Sequence, residues 1–510
     1  MLYQSRTVAF AKNTASSLIL QLVTVIVGFT IPFVIIGTYG SETNGLISSL
    51  MQFVAYIQLV EAGISAAAIV KLYAPLAKGD IDEVSGIVSS AKVFYYQSGG
   101  IFTALILALA ALYPVFIVVE GLNPLDIFVL VLALGATGFL DFFLLGKYRV
   151  LLTATQHNWV IQLATFLYKI LYVAVVVLFA RPDVSVTFVY VIAIVPIIVR
   201  SVVLVVYVRR HFPDVDFKKK GKRVKLEQHW DALFLQILAA VQNGAPIIIA
   251  TFILNDLVMV SVFSIYMLIA NGLQSALNSF TQGTQASFGD VIARGQSETL
   301  KTTFREFQAL SYGVSGITCG VAFVLVMPFV WLYTNLVADV NYIYPLIGFL
   351  AIANVLLYHL KTPQGLLVMA AGLYRDTRLQ TLLQTIILLV GSIGLGFLWG
   401  IPGILLGICL SNIYRDIDLM FYIPKKVTHT SPWETLRFML LAIVICVAVV
   451  LPYLLLGFIP ADWIQWIISG VGLFVWGMAI TCVIYRIFAR EELVGITARV
   501  RRLLNSESHA

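Results

Sequence analysis

The sequence predicts an all-α polytopic membrane protein: about 14 transmembrane helices, in two pseudo-symmetric six-helix lobes followed by a C-terminal helix pair. Three observations carry this prediction. Hydrophobic residues make up 60% of the 510 and charged residues 12%, with a mean hydropathy of +0.93, whereas an ordinary soluble domain carries about twice that charge. Apolar runs of about 20 residues, the length that crosses the hydrocarbon core, recur along the whole chain. The two halves of the chain also repeat one another.

Charged or turn-rich interruptions divide the first half into spans 13–36, 45–69, 93–119, 124–149, 158–180 and 184–208. The first follows Arg6 and Lys12, contains Pro32 and lacks a small-x-small cleavage site, so it reads as a retained span rather than a signal peptide. The second stops before Lys71, the third starts after Lys92, the fourth closes on Lys147 and Arg149, and the sixth runs into Arg209 and Arg210. The second half gives 230–254, 257–284, 306–334, 342–370, 377–399 and 401–423, bounded by Arg294, Lys301, Arg305, Arg375, Arg378, Lys425 and Lys426. Spans 436–458 and 462–487 complete the set. With the N-terminus inside, 28 of the 33 Lys and Arg fall in inner loops and tails and one, Arg181, outside. This asymmetry predicts cytoplasmic N- and C-termini. Seven of the eight Trp residues lie near span ends, where interfacial aromatics belong.

The repeat is read at one offset. "LAKGDIDEV" (76–84) recurs as "IARGQSETL" (292–300), and "LLTA" (151–154) meets "LVMA" (367–370), both 216 residues apart. Gln21 and Pro32 meet Gln236 and Pro246 at offsets of 215 and 214. Six helices per copy, an even number, keep both copies in the same orientation, related by an axis along the membrane normal. The predicted partition is an N-terminal lobe (1–215), a basic cytoplasmic linker (216–229), a second lobe (230–428), and an extra helix pair with a tail (429–510).

Several function classes find no support. The net charge of +7 reflects orientation and attraction to anionic headgroups rather than nucleic-acid binding. No Gly-x-x-x-x-Gly-Lys-Ser/Thr loop is present, so no phosphate cradle of the ATPase kind is expected. "GLG" at 394–396 lacks the third glycine of a dinucleotide site, the six histidines form no HExxH, and Cys319, Cys409, Cys446 and Cys482 show no paired metal spacing. The Asp-x-Asp triplets at 80/82, 214/216 and 416/418 lack the soluble catalytic domain that a metal-bound sugar nucleotide would need. No metal, cofactor or catalytic residue is therefore expected.

Four basic residues remain inside the spans: Lys169, Arg200, Lys361 and Arg415. Each costs about 2.5–3.5 kcal/mol if central, which asks for a reason. Arg200 and Arg415 correspond at an offset of 215 and so occupy the same place in the last helix of each lobe. Across a two-lobed packing they would face a central cavity. Snorkelling or an internal pair is the alternative for each. Asp416 or Asp418 would neutralise Arg415, and Glu61, an acid inside span two, would neutralise Lys169. Glu61 alternatively titrates and couples cargo to an ion gradient. Amide stripes add a second signal: Asn271, Gln274, Asn278, Gln282 and Gln285 share one face of span eight, Gln21 lies on a polar face of span one with Asn13, Ser17 and Thr24, and Gln236 and Asn243 lie in span seven. Such faces either join helices or line a hydrated cavity for hydroxyl-rich cargo.

On "RTVAFAKNTASSLILQLVTVIVGFTIPFVIIGTYGSETNGL", "YIQLVEAGISAAAIVKLYAPLAKGDIDEV" and "LLTATQHNWVIQLATFLYKILYV", the chain resembles the Wzx-type polysaccharide transporters. These belong to the superfamily of multidrug and toxin extruders and lipid II flippases, and the resemblance covers roughly residues 6–425. It implies two six-helix lobes around a cation-lined cavity. The implied activity is flipping undecaprenyl-pyrophosphate-linked oligosaccharide from the inner to the outer leaflet of a bacterial plasma membrane, by alternating access, for O-antigen or other surface polysaccharide. Lys169, Arg200, Lys361 and Arg415 would hold the pyrophosphate, since guanidinium groups bind phosphate oxygens bidentately. Asn271, Gln274, Asn278, Gln282, Gln21, Gln236 and Asn243 would meet the sugars. Membrane lipid and other polysaccharide-assembly proteins are the further partners. The alternatives are an ion-coupled drug exporter of the same superfamily and a membrane-embedded glycan polymerase or ligase, for which the short outer loops leave little room.

Overall fold

The computed structural model describes residues 6–61, 64–218, 230–281, 284–335, 337–457 and 459–507. The chain is all-α, with no strand among the described residues. In order the helices are α1 (Arg6–Ile57), α2 (Ile64–Lys78), α3 (Ile81–Phe116), α4 (Pro124–Leu140), α5 (Gly146–Ala154), α6 (Asn158–Phe179), α7 (Val186–Ile192), α8 (Ile194–His211), α9 (Trp230–Leu254), α10 (Leu257–Thr281), α11 (Thr284–Ala293), α12 (Ser297–Thr334), α13 (Pro345–Leu360), α14 (Thr362–Ala370), α15 (Arg378–Trp399), α16 (Ile401–Ile423), α17 (Pro432–Leu456), α18 (Trp463–Phe488) and α19 (Arg490–Glu507). They form two compact units, 1–251 with 255–261, and 252–254 with 262–510. By packing, α9 thus belongs with the first unit, whereas repeat counting groups it with the second lobe.

Among the described residues, twelve stretches are long and apolar enough to cross a membrane. Two differences account for the fourteen spans expected. The 50-residue stretch Lys12–Glu61 is one of the twelve, yet Gly40 interrupts it with φ 84° and ψ 172°. Only glycine enters that region without steric cost, so one continuous run serves as two spans. α16 is the other: Arg415, Asp416 and Asp418 give it too much charge for composition alone to mark it.

The sequence repeat reappears as repeated architecture. α3 and α12 begin at 81 and 297, and α5 and α14 at 146 and 362, an offset of 216 in both cases. Each unit pairs equivalent neighbours: α2 with α3 and α5 in the first, and α11 with α12 and α14 in the second. Likewise α3–α4, α4–α8 and α6–α8 correspond to α12–α13, α13–α16 and α15–α16.

Where the expected spans are wrong, polar residues break them. Span 45–69 becomes the end of α1, a 3₁₀ turn at Gln58–Glu61, and α2. Span 342–370 breaks at Lys361, with Pro363 opening α14. Span 124–149 is interrupted by a π-helical segment, Asp141–Leu145. α3 starts well before residue 93, because Asp80 caps it by accepting from the Glu83 amide at 2.8 Å.

Lipid gives helices no hydrophobic reason to associate, so close contact and hydrogen bonds do that work, at about 0.6 kcal/mol per hydrogen bond. α15 and α16 meet backbone to backbone: a Cβ on Gly407 would sit 2.2 Å from the Ser392 nitrogen. The extra pair α17–α18 packs on α12, whose Gly316 and Gly320 would put a Cβ 2.7 Å from the Ala442 oxygen and the Val449 side chain respectively. In the first unit Ser49 accepts from Tyr113 at 3.0 Å and from Thr251 at 2.9 Å. Outward-facing leucines such as Leu22, Leu125 and Leu454, each about 70% exposed, suit lipid rather than water.

Candidate functional site

Inside the first unit the chain gathers four charges. Glu61 closes the 3₁₀ turn after α1. Its Oε1 accepts from the Tyr95 hydroxyl at 3.0 Å and the Ser65 hydroxyl at 3.4 Å, and Ser65 and Tyr95 also bond each other. Arg149, on α5, places Nη1 4.0 Å from Glu61 Oε1 and 3.9 Å from Asp141 Oδ2. The other Asp141 oxygen accepts from Nη2 of Arg200, on α8. A continuous chain results, Glu61–Arg149–Asp141–Arg200. A pair at about 4 Å gains roughly 4 kcal/mol at an effective dielectric near 20, against a desolvation cost of several kcal/mol per ion. The shared arrangement keeps each charge from standing alone.

Local backbone chemistry positions these groups. A π segment holds an extra residue in its turn and re-aims side chains, and such segments concentrate at functional sites; Asp141 is its first residue. Beside the network lies a cavity of about 480 Å³ lined by Gln58, Glu61, Ser65, Asp141, Arg149 and Gln236, among others. Arg200 is 8% exposed and lies 5.5 Å from the Tyr168 ring centroid. Its Nε, buried, has no hydrogen-bond partner. Lys169, on α6, is near enough to Arg200 for the two charges to repel, and no ion pair joins it to an acid among the described residues.

The second unit gathers charge around the α13–α14 break. Lys361 Nζ donates to Asn412 Oδ1 at 2.6 Å and lies 4.9 Å from the Tyr358 ring centroid. Asn412 donates to Asn354 at 2.7 Å, and Gln384 donates to Asn412 at 3.3 Å. The break frees the Leu360 carbonyl, which accepts from the Tyr312 hydroxyl at 2.6 Å. Arg415 pairs with Asp418, three residues on, at 2.5 Å. Asp416 is 6% exposed, attracted by the Lys361 charge, and neither carboxylate oxygen has a hydrogen-bond partner.

The four bases expected from sequence thus fall in two pairs, Lys169 with Arg200 and Lys361 with Arg415, one pair per unit. The pairing weighed for Lys169 changes: Glu61 meets Arg149 instead. Arg200, which has no acid within five residues in sequence, takes Asp141 from 59 residues away. Of the two acids weighed for Arg415, Asp418 is the partner. Among the amides, Gln236 lines the cavity, Gln21, Asn243 and Asn271 are exposed, and Gln274 and Asn278 are partly buried. Gln282 lies outside the described residues. The polar face of span one divides: Asn13 accepts from the Trp159 amide at 2.7 Å and Ser17 from Gln162 at 2.6 Å, so its first turns join α1 to α6.

Asp141 and Arg149 were missed. Arg149 ends an apolar run and counts as a loop base, and Asp141 stands in "GFLDFFLLGKYR" between strongly apolar neighbours. An acid inside a span is itself a signal, the same one that marks Glu61.

No protein-family model and no curated protein matches the sequence. Solved structures do match. An inward-facing multidrug resistance MATE family transporter of the MOP superfamily aligns with TM-score 0.60 and 14% identity over 82% of this chain and 94% of its own. A MOP superfamily transporter from Pyrococcus furiosus, described as having a binding pocket of reverse polarity, aligns with TM-score 0.55 and 14% identity over 86% and 97%. An outward-facing MATE family transporter gives TM-score 0.53 and 12% identity over 86% and 97%. The fold of this chain is therefore the one these MOP superfamily transporters share.

Proposed function

We propose that this chain is a flippase that moves undecaprenyl-pyrophosphate-linked oligosaccharide from the inner to the outer leaflet of a bacterial plasma membrane by alternating access. The fold supports transport, since the similar proteins are transporters seen both inward- and outward-facing. The observation that carries the choice of cargo is the surplus of base around Arg200: Asp141 covers one end of the guanidinium, Nε keeps an open donor, and Lys169 adds an unpaired charge. A diphosphate supplies what these groups lack, charge and acceptor oxygens together. In the second unit Lys361 and Arg415 meet the same cargo, the amides Gln21, Gln236, Asn243, Asn271, Gln274, Asn278 and Gln282 meet its sugars, and Glu61 couples transport to an ion gradient. The termini are cytoplasmic on the Lys/Arg asymmetry, and the two lobes are those read from the repeat. The test is surface-polysaccharide export in cells carrying Lys169→Gln with Arg200→Gln. Export is lost while the protein stays in the membrane; normal export removes the phosphate role of these bases.

A second reading is an exporter of cationic drugs. The carboxylates Glu61 and Asp141 in the cavity wall and the multidrug transporters among the similar structures favour it. Efflux of a cationic dye that Asp141→Asn abolishes would select this reading.

A further inference from the structure

Three bases from three helices converge outside the charge network just described. Lys92, on α3, and Lys147, in the first turn of α5, share one aromatic ring: their ammonium nitrogens lie 5.4 and 5.7 Å from the Tyr96 centroid. Lys147 also lies 5.0 Å from the Tyr148 ring centroid, and Tyr148 packs edge-on against Phe217 at 4.9 Å. Arg209, in the last turn of α8, is close enough to repel Lys147. Among the described residues no carboxylate pairs with any of the three. Flexible lysines ordinarily splay into water to relieve such repulsion; here rings from the packed helices hold them together. An arrangement of like charges held together, with no carboxylate paired to it among the described residues, is what a bound anion would complete. All three belong to the inner loops and helix ends that the Lys/Arg asymmetry assigns to the cytoplasmic side.

We propose that Lys92, Lys147 and Arg209 form a rim site for phosphate carried on a lipid, beside the Tyr96 ring. Two sources supply that chemistry: an anionic phospholipid of the inner leaflet, or the diphosphate of a polyprenyl-linked cargo. The site needs neither the flippase reading nor the cavity residues. Lys147 and Arg149, two residues apart on the same short helix, point to opposite sides of it, and Arg149 but not Lys147 lines the cavity.

The test measures binding to full-length purified protein in neutral detergent, by native mass spectrometry and thermal shift. The probes are phosphatidylglycerol, undecaprenyl diphosphate, and phosphatidylcholine as the neutral control. Wild type retains at least one of the two anionic lipids over phosphatidylcholine, and which one identifies the source. Lys92→Gln, Lys147→Gln and Arg209→Gln, singly and together as a triple variant, weaken retention by about fivefold per base removed. Removing two charges elsewhere, with Lys78→Gln and Arg210→Gln together, leaves retention unchanged. No preference over phosphatidylcholine in wild type, or an equal loss from the Lys78/Arg210 variant, overturns the proposal. Lys92→Gln alone serves if the triple variant does not fold. Because none of these readouts involves transport, a failed rim site and a failed flippase assignment give separate results.

Discussion

Asp141 and Arg200 are joined by an ion pair between the π segment after α4 and helix α8, and Arg149 holds the second Asp141 oxygen at 3.9 Å. One carboxylate thus contacts two guanidinium groups, and Glu61 is the second acid at Arg149. Asp141→Asn leaves Arg200 without its carboxylate and Arg149 with Glu61 alone, and destabilises the protein by about 3 kcal/mol, the scale for removing one partner of a buried pair. Thermal unfolding in detergent measures this. Adding Arg200→Gln recovers part of the loss, because the two changes are coupled.

The α15–α16 contact depends on the absence of side chains. Gly407→Ala forces a Cβ to within 2.2 Å of the Ser392 backbone nitrogen, where backbone rather than a flexible tip must move. The expected cost is about 1–3 kcal/mol, read as a lower melting temperature. Gly394→Ala, with open space at its Cβ position, serves as the control and has little effect.

Tyr312 closes the break that Lys361 makes. Tyr312→Phe leaves the Leu360 carbonyl and the Gln364 amide without the hydroxyl that both contact. Orphaning such groups costs about 1–3 kcal/mol, and hydrogen exchange should rise at the start of α14 before it rises elsewhere.

His157 lies in the turn between α5 and α6, outside the spans. Burial holds its pKa below the ordinary 6.5, and the nearby His211 and Lys12 charges act in the same direction, while its hydrogen bond to the Thr155 backbone opposes them. The folded state therefore resists a proton that the unfolded chain accepts, so stability present above pH 6.5 declines as pH falls below it. His157→Gln flattens that decline as pH falls below about 6.5, the unperturbed histidine value; an unchanged slope assigns the pH response to other groups.

Lipid makes the fold readable, because a spanning helix needs about 20 predominantly apolar residues. Span 158–180 differs from α6 by one residue, and span 401–423 coincides with α16. Interruptions within an apolar run are the harder part. Glu61, Asp141 and Lys361 each sit where a helix ends or its winding changes, and hydropathy averages over them. Ion pairing is harder still, since Arg200 and Asp141 are 59 residues apart and only packing joins them. The repeat located equivalent positions but not their chemistry: Arg415 takes a partner one turn away on its own helix, while Arg200 takes one from another.

The central claim is that buried bases carry a diphosphate-linked glycan across the bilayer. The most direct measurement uses proteoliposomes loaded with a labelled undecaprenyl-pyrophosphate oligosaccharide, and follows its accessibility in each leaflet with a membrane-impermeant lectin. Wild-type protein should equilibrate the glycan between leaflets, and Lys169→Gln with Arg200→Gln should reduce the rate to that of empty liposomes. Flipping by the double variant at the wild-type rate would contradict the account.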